Sequence, residues 1–452
     1  MSSEDQNIAK IELFENMPVK KAVLKLAAPT VVGCLVMIIY NLADTYFVGM
    51  LNNPIENAGV TLAAPVILAF NAITNLFGVG TASIMSRALG SKDYDTVRKS
   101  SAFGFYCSLI SSILFALLVI IFKTPLLTLL GTDATNYVTT SNYLKWTVIY
   151  GAVPAILNVA MSNFVRAEGS VMHATVGSMC GCILNIILDP FFILPFGLNM
   201  GAAGAGLATF ISCCVACIYF AVFLIVKRGK TFVTVNPKYF RPSKYIFKEV
   251  FGVGVPASIQ NLLNVTGMTV LNNAASAYGS EAVAAIGIAH KLTMIPMYVS
   301  MGVGQGVMPL IGYNYTSGNK ARMRSAIKIT LSFGIIFMLF ATSVFFFGAT
   351  GITTMFIKDP LTVEYGTAFV RGMCLAQPFL AFDFLGVAIY QACGKGGITL
   401  IFAILRKIVL EIPAILILNY IFPMYGLGYA QLVAEAILSI AAFFCLRKVM
   451  KD

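Results

Sequence analysis

Charged side chains are scarce in this sequence. Only 11% of the 452 residues are Asp, Glu, Lys or Arg, where a soluble domain carries roughly 25%. Too little charge remains to coat a water-facing surface, which excludes an ordinary soluble fold. Histidine is rarer still, with only His173 and His290, and the two sit in unlike contexts. No paired-carboxylate motif or metal-ligand spacing falls at an expected membrane face, so an integral membrane enzyme such as a lipid-modifying transferase is disfavoured. No GxxxxGK[ST] phosphate loop occurs, so ATP drive would need a separate subunit. The polar first 20 residues lack a cleavable signal pattern, and the first helix is expected to act as an uncleaved anchor.

What the chain has is apolar length. Its composition is 58% hydrophobic and its mean hydropathy is +0.84. A helix needs ~20 apolar residues to cross the hydrocarbon. Twelve such stretches are expected near 23–50, 58–85, 100–122, 140–163, 172–193, 201–226, 247–277, 283–313, 325–350, 365–392, 399–421 and 425–446. Most of the ten cysteines, among them Cys180, Cys182, Cys213, Cys214 and Cys217, lie inside these stretches. There they serve as small apolar residues rather than as a disulfide framework or a metal site.

The net charge of +12 would point to nucleic acid in a soluble protein, but its distribution gives a different reading. Lys and Arg gather in alternate loops, for instance Arg87, Lys92, Arg98 and Lys99, or Lys227, Arg228, Lys230, Lys238, Arg241, Lys244 and Lys248. The loops between, such as 51–57, 194–200 and 278–282, have almost none. Positive residues stay on the cytoplasmic side. The chain is therefore expected in the inner (plasma) membrane as a multi-pass protein with both termini cytoplasmic, and nucleic acid is not expected as a partner.

An internal repeat organises these helices. Gly78-Val79-Gly80 recurs as Gly302-Val303-Gly304 and Pro154 as Pro378, both at a shift of 224. The segment from Met200 to Gly204 recurs from Met424 to Gly428 at the same shift, and Pro29 pairs with Pro256 at 227. The expected organisation is a six-helix lobe over 1–230, a basic cytoplasmic linker over 231–246 and a second six-helix lobe over 247–452. An even number of helices per half makes the repeats parallel, one of the two repeat classes of secondary transporters. Such repeats place substrate and ion sites near the bilayer midplane. Prolines inside helical spans permit kinks, and matched breaks in two halves point to the binding region.

A charge at the bilayer centre costs at least ~2.5–3.5 kcal/mol, so intramembrane acids and bases are functional candidates by default. Asp44, Asp189, Lys291, Arg371, Asp383, Glu411 and Glu435 qualify. Lys291 and Arg371 lie near expected helix ends, where they can snorkel. Glu411 follows Lys407 by four residues, the spacing of a structural ion pair, and Glu435 is divided between cavity and packing roles. Asp44 has no basic residue within a helical turn, and Asp189 has Asn185 one turn earlier on the same face. Carboxylate and amide oxygens suit a hard cation such as Na⁺. A carboxyl taken out of water can hold a proton instead, and helix-to-helix hydrogen bonding by a protonated acid is the structural alternative.

The pattern Pro29…Asn41-x-x-Asp44-Thr45-x-x-x-Gly49 resembles the multidrug and toxic compound extrusion (MATE) transporters. So do Gly78-Val79-Gly80…Ser86-Arg87-x-x-Gly90, Glu168-Gly169, Leu184-Asn185-x-x-Leu188-Asp189-Pro190 and Gly201-Ala202-Ala203…Ala208-Thr209. The resemblance covers nearly the whole chain and lies nearest the MepA-like bacterial branch. It implies an all-α membrane protein of twelve helices in two pseudo-symmetric, V-shaped six-helix lobes with a central cleft. It also implies a multidrug efflux antiporter, not an enzyme, that exports lipophilic organic cations in exchange for Na⁺ or H⁺ by alternating access.

By the same resemblance the cation-coupling set, which would also ligate Na⁺, is Asp44, Asn185, Asp189 and Thr209. No cofactor is expected beyond the coupling ion, and a monomer in the lipid bilayer is expected. NorM-like members carry a Glu in the seventh helix where Asn264 stands here, which puts a cation site in the second lobe in doubt. Asp383 is left as a cavity acid or a packing residue. Met268, Met294, Met297 and Met301 fall on the helices that border the cleft in this family, and Met suits adaptable pockets. Asn41, Gln260, Asn264, Asn272 and Asn273 are polar groups that could line the same space. A flippase for lipid-linked saccharides, from the same superfamily, is the main competitor. Its greater helix number and cationic cavity fit less well. A simple channel would not need duplicated, proline-broken halves.

Overall fold

In the computed structural model, which describes residues 11–51 and 53–451, the chain is built from α-helices. The first half contains α1 (Val19–Gly49), α2 (Pro54–Gly90) and α3 (Tyr94–Ile121), then α4 in two pieces (Tyr137–Tyr150 and Ala152–Ala167), α5 (Val171–Ile193) and α6 (Ala202–Val226). The second contains α7 (Lys244–Ser276), α8 (Ser280–Thr316) and α9 (Lys320–Phe356). After these come α10 in two pieces (Pro360–Leu375 and Gln377–Ala392), α11 (Gly396–Ile404, Leu405–Glu411 and Ile412–Ile421) and α12 (Tyr425–Lys451). Eight of these are long and apolar enough to cross a membrane, and the bent pairs α4 and α10 make ten. α7 and α11 complete the twelve, and both are atypically polar. α7 carries Gln260, Asn261, Asn264, Asn272 and Asn273, while α11 is interrupted by a π-helical stretch holding Arg406, Lys407 and Glu411. Phe347 and Tyr420 stand 83% and 88% exposed, a packing that only lipid makes favourable.

The repeat is visible in the breaks. α4 bends by 50° and α10 by 46°, each just before a proline, Pro154 or Pro378. The proline ring clashes with the carbonyl four residues back and removes one ladder bond. Asp93 and Asn319 cap α3 and α9 alike, accepting from the amides of Thr96 and Arg322 at 3.0 and 3.1 Å. Each cap satisfies an amide that would otherwise lack a partner.

Two compact units emerge from the packing, and they exchange segments. One is residues 1–17 with Val32–Ser258; the other is Pro18–Val31 with Ile259–Asp452. The division cuts α1 and α7 two residues after Pro29 and Pro256. Within the first unit the start of α7 lies on α2. Ser258 Oγ donates to the Ala72 carbonyl at 2.6 Å, and Arg87 pairs with Glu249 at 2.7 Å. A Cβ on Gly80 would collide with the Val250 carbonyl oxygen. Within the second unit the start of α1 lies on α8 in the same way, with Gly306 against the Leu26 carbonyl and Ala27.

These seats correct the register of the repeat. Gly78 faces Ala160 and Asn163, as Gly304 faces Leu385 and Ala388. Gly78 and Gly80 thus match Gly304 and Gly306, a shift of 226, whereas the sequence match to Gly302-Val303-Gly304 slips by two. Overpacking such a seat costs ~1–3 kcal/mol. Gly306→Val is therefore expected to lower the melting temperature of detergent-purified protein and its monodisperse yield, while Gly287→Val, where a Cβ meets nothing within 4 Å, leaves both unchanged.

The basic segment expected as a linker is held against the first unit. Buried Glu168 accepts from the Thr231 hydroxyl and the Phe232 amide, both at 2.8 Å, and from the Ser170 hydroxyl at 2.9 Å. Ser101 and Thr234 exchange two hydrogen bonds, and Tyr106 donates to the Val235 carbonyl at 2.8 Å. The Glu168-Gly169 pair is thus a clasp. Gly169 supplies the positive φ (+90°) that ends α4 beside Phe14, a backbone region open to Gly.

Candidate functional site

Three helices of the first unit bring the amino-terminal candidates together. α5 and α6 approach closely because α5 presents Gly181 to Ser212 and Ala216. One turn on from that contact, Asn185 and Asp189 lie on the same face of α5, 1% and 0% exposed. Asn185 reaches Thr209 on α6. With its amide set to satisfy both ends, Nδ2 donates to Asp189 Oδ2 at 2.9 Å and Oδ1 accepts from the Thr209 amide at 3.0 Å. Thr209 also donates its hydroxyl to the Ala205 carbonyl at 3.0 Å.

Asp44 on α1 is within electrostatic reach of Asp189. Its Oδ1 is buried and has no hydrogen-bond partner among the described residues. Tyr143, from the first piece of α4, is within electrostatic reach of both carboxylates, and the Tyr40 hydroxyl reaches Thr209. Among the described residues neither carboxylate has a basic ion-pair partner. Two acids held close in a low-dielectric interior repel unless a cation or a proton sits between them. The oxygens of Asp44, Asp189 and Thr209 and the Tyr hydroxyls suit a hard cation. Asn185 spends both ends of its amide on Asp189 and Thr209, so as placed it orients the carboxylate. Nowhere among the described residues do three or more His, Cys, Asp or Glu side chains form a metal cluster.

Other candidates separate into groups. Asn41, on the same helix as Asp44, is exposed and donates to the carbonyl of Met37 at 2.8 Å. In the second unit Asn264, Met268, Met294 and Met297 line one cavity, whose lining includes neither Gln260, Met301 nor Asp383. Asp383 is enclosed at 3% exposure and pairs with Arg406 at 2.9 Å. The other side of that guanidinium holds Glu435 at 2.6 Å, and Phe384 lies under it at 5.2 Å. Lys407 and Glu411 form the i,i+4 pair that their spacing indicates, at 2.6 Å.

Sequence reasoning missed Arg406. Its partners lie on α10 and α12, so no spacing within one helix exposes the triad. The available signal was an arginine inside an apolar stretch that holds two further charges. Tyr40 and Tyr143 were missed as well, because tyrosine in a membrane helix is not distinctive.

Comparison with known proteins gives a consistent picture. The MatE family model matches twice, over residues 29–191 and 256–417. The chain is 34% identical over 432 residues to the multidrug export protein MepA of Staphylococcus aureus (strain MRSA252), covering 95% of this chain and 94% of that protein. It is 33% identical over 434 residues to the multidrug export protein MepA of Staphylococcus haemolyticus, with the same coverage. A solved multidrug resistance MATE family transporter of the MOP superfamily, in an outward-facing conformation, superposes with a TM-score of 0.90 at 25% identity over 98% of both chains. A Pyrococcus furiosus MOP superfamily transporter, described as having a binding pocket of reversed polarity, superposes at 0.88 and 25% identity, again over 98% of both chains.

Proposed function

The chain belongs to the MatE family, and from that membership we propose that it exports lipophilic organic cations by cation-coupled antiport. It is a multi-pass membrane transporter rather than an enzyme. The observation that carries the coupling is the pair Asp44 and Asp189, two acids in one helical bundle with no basic partner among the described residues and one orphaned oxygen. One positive charge, Na⁺ or H⁺, completes that pair. Binding it pulls α1 towards α5 and α6, and losing it restores the repulsion. The resulting two-state element is what antiport requires. Substrates are small-molecule drugs, as the names of the MepA relatives indicate; the acidic pair favours cationic ones, and the chain works as a monomer with both termini cytoplasmic.

Ethidium efflux from cells that express the protein tests the coupling. At a fixed proton gradient, an imposed inward Na⁺ gradient is expected to speed efflux severalfold if Na⁺ is the partner. Efflux that follows the proton gradient alone assigns the site to H⁺, and efflux indifferent to both gradients refutes antiport.

A further inference from the structure

A cavity of about 60 Å³ lies inside the second unit. Met268, Met294, Met297 and Met373 form its apolar wall, and His290, Gln377, Lys407 and Glu411 its polar side. Gln377 is 1% exposed and its Oε1 has no partner among the described residues. A buried acceptor left unpaired is costly, so it marks a place where a donor belongs. Gly267 on α7 lets that helix come against the Lys407–Glu411 pair, since a Cβ there would meet Glu411 Oε1 and Lys407 Cδ at 3.0 Å. The pair itself sits in the π-helical stretch Leu405–Glu411. Such stretches occur often at functional sites.

The charges around the cavity do not balance. Asp383 comes from α10, Arg406, Lys407 and Glu411 from α11, and Glu435 from α12, while α8 contributes His290. With His290 neutral, three carboxylates stand against two cations. Lys407 takes both oxygens of Glu411, at 2.7 and 2.6 Å. That leaves Arg406 alone between Asp383 and Glu435, and Glu435 Oε2 is buried without a partner among the described residues. With all three acids ionised the cluster is one positive charge short, and lysine is the mobile member of it, a point charge on a flexible stem.

We propose that this cavity takes the head of a monovalent organic cation, a guanidinium or primary ammonium, on the Glu411 carboxylate. Lys407 gives up Glu411 to the ligand and turns towards Glu435, where the missing charge is needed. Gln377 Oε1 accepts a hydrogen bond from the head, and the methionines pack on the alkyl chain. The volume fits. A buried water needs ~10–15 Å³ of such space, so about four waters give way, and a guanidinium has four heavy atoms. Lys407 is then a tethered stand-in that neutralises Glu411 until a substrate replaces it. The proposal rests on the efflux reading for its use in transport, but the binding is measurable without transport.

Calorimetric titration of the detergent-purified full chain with hexylguanidinium tests it. Wild type is expected to bind saturably, Glu411→Gln at least about tenfold more weakly, and Lys407→Met at least as tightly as wild type. Gln377→Leu leaves the ion pair intact and is expected to bind severalfold more weakly, which keeps the test decisive if Glu411→Gln does not fold. Asp44→Asn is expected to lose ethidium efflux while still binding hexylguanidinium saturably, which separates this site from the coupling reading. Wild-type affinity in both Gln377→Leu and folded Glu411→Gln overturns the proposal. So does a loss of binding in Lys407→Met equal to that in Glu411→Gln. Release of one proton per cation bound also overturns it, because the missing charge would then be a proton.

Discussion

Asp189→Asn is expected to lower gradient-driven ethidium efflux by at least about tenfold in cells where the protein reaches the membrane at wild-type level. Asn is nearly isosteric, so the packing of α5 on α6 survives, and the Asn185 amide can turn to bond the new side chain. What is lost is the charge. A hydrogen bond or contact to a charged partner contributes ~1.5–3 kcal/mol, and 1.4 kcal/mol is a factor of ten, so roughly 10–100-fold follows for the coupling cation. Asp44→Asn is expected to act similarly, and combining the two should add little, because a single remaining carboxylate already breaks the pair. Thr209→Ala removes one neutral oxygen and should cost less than either. The readout is the initial rate of ethidium loss, normalised to surface expression. A full wild-type rate in either Asp variant would falsify the assignment of the coupling site.

Arg406→Met is expected to remove most of the folded protein. Arg406, at 4% side-chain exposure, is held by Asp383 at 2.9 Å and by Glu435 at 2.6 Å. Taking the guanidinium away leaves two buried carboxylates facing each other. Removing one partner of a buried pair costs ~3–5 kcal/mol, and here two partners are stranded at once. A typical domain is stable by only ~5–15 kcal/mol. The triple change Arg406→Met, Asp383→Asn, Glu435→Gln removes the charges together and is expected to restore much of the yield. Fluorescence-detected size exclusion, with melting curves on the surviving protein, measures both. A monodisperse Arg406→Met with a wild-type melting temperature would show that the triad does not hold α10, α11 and α12.

Hydropathy reads most of this fold directly, because lipid imposes ~20 apolar residues per crossing. It marks α7 and α11 as well, near 247–277 and 399–421, although Gln260, Asn264, Arg406, Lys407 and Glu411 interrupt them. The repeat is legible too, but Gly302, Gly304 and Gly306 alternate, and a match on glycines alone can settle in either of two registers. Only the residues packed against each glycine choose between them. At the candidate cation site, Asn185 and Asp189 are readable as an i,i+4 pair on α5. That Asp44 joins them from α1, across about 140 positions of chain, comes from tertiary packing. The Arg406 triad is illegible on the same ground, with three helices supplying one side chain each.

The exchange of segments at Pro29 and Pro256 has a consequence for biogenesis. The first unit lacks a piece of its wall until the ribosome has passed Ser258, some 30 residues beyond the end of α6. A nascent chain released after α6 would leave the Gly80 seat empty, and co-expressed halves split near residue 236 would each carry an element the other requires. Gly80 receives Val250 and Gly306 receives Leu26, so the arrangement is reciprocal. A reciprocal exchange of identical elements is how two copies of one chain form a domain-swapped dimer. Within this one chain the two halves show the same reciprocal pattern, the start of α1 counted with the second unit and the start of α7 with the first.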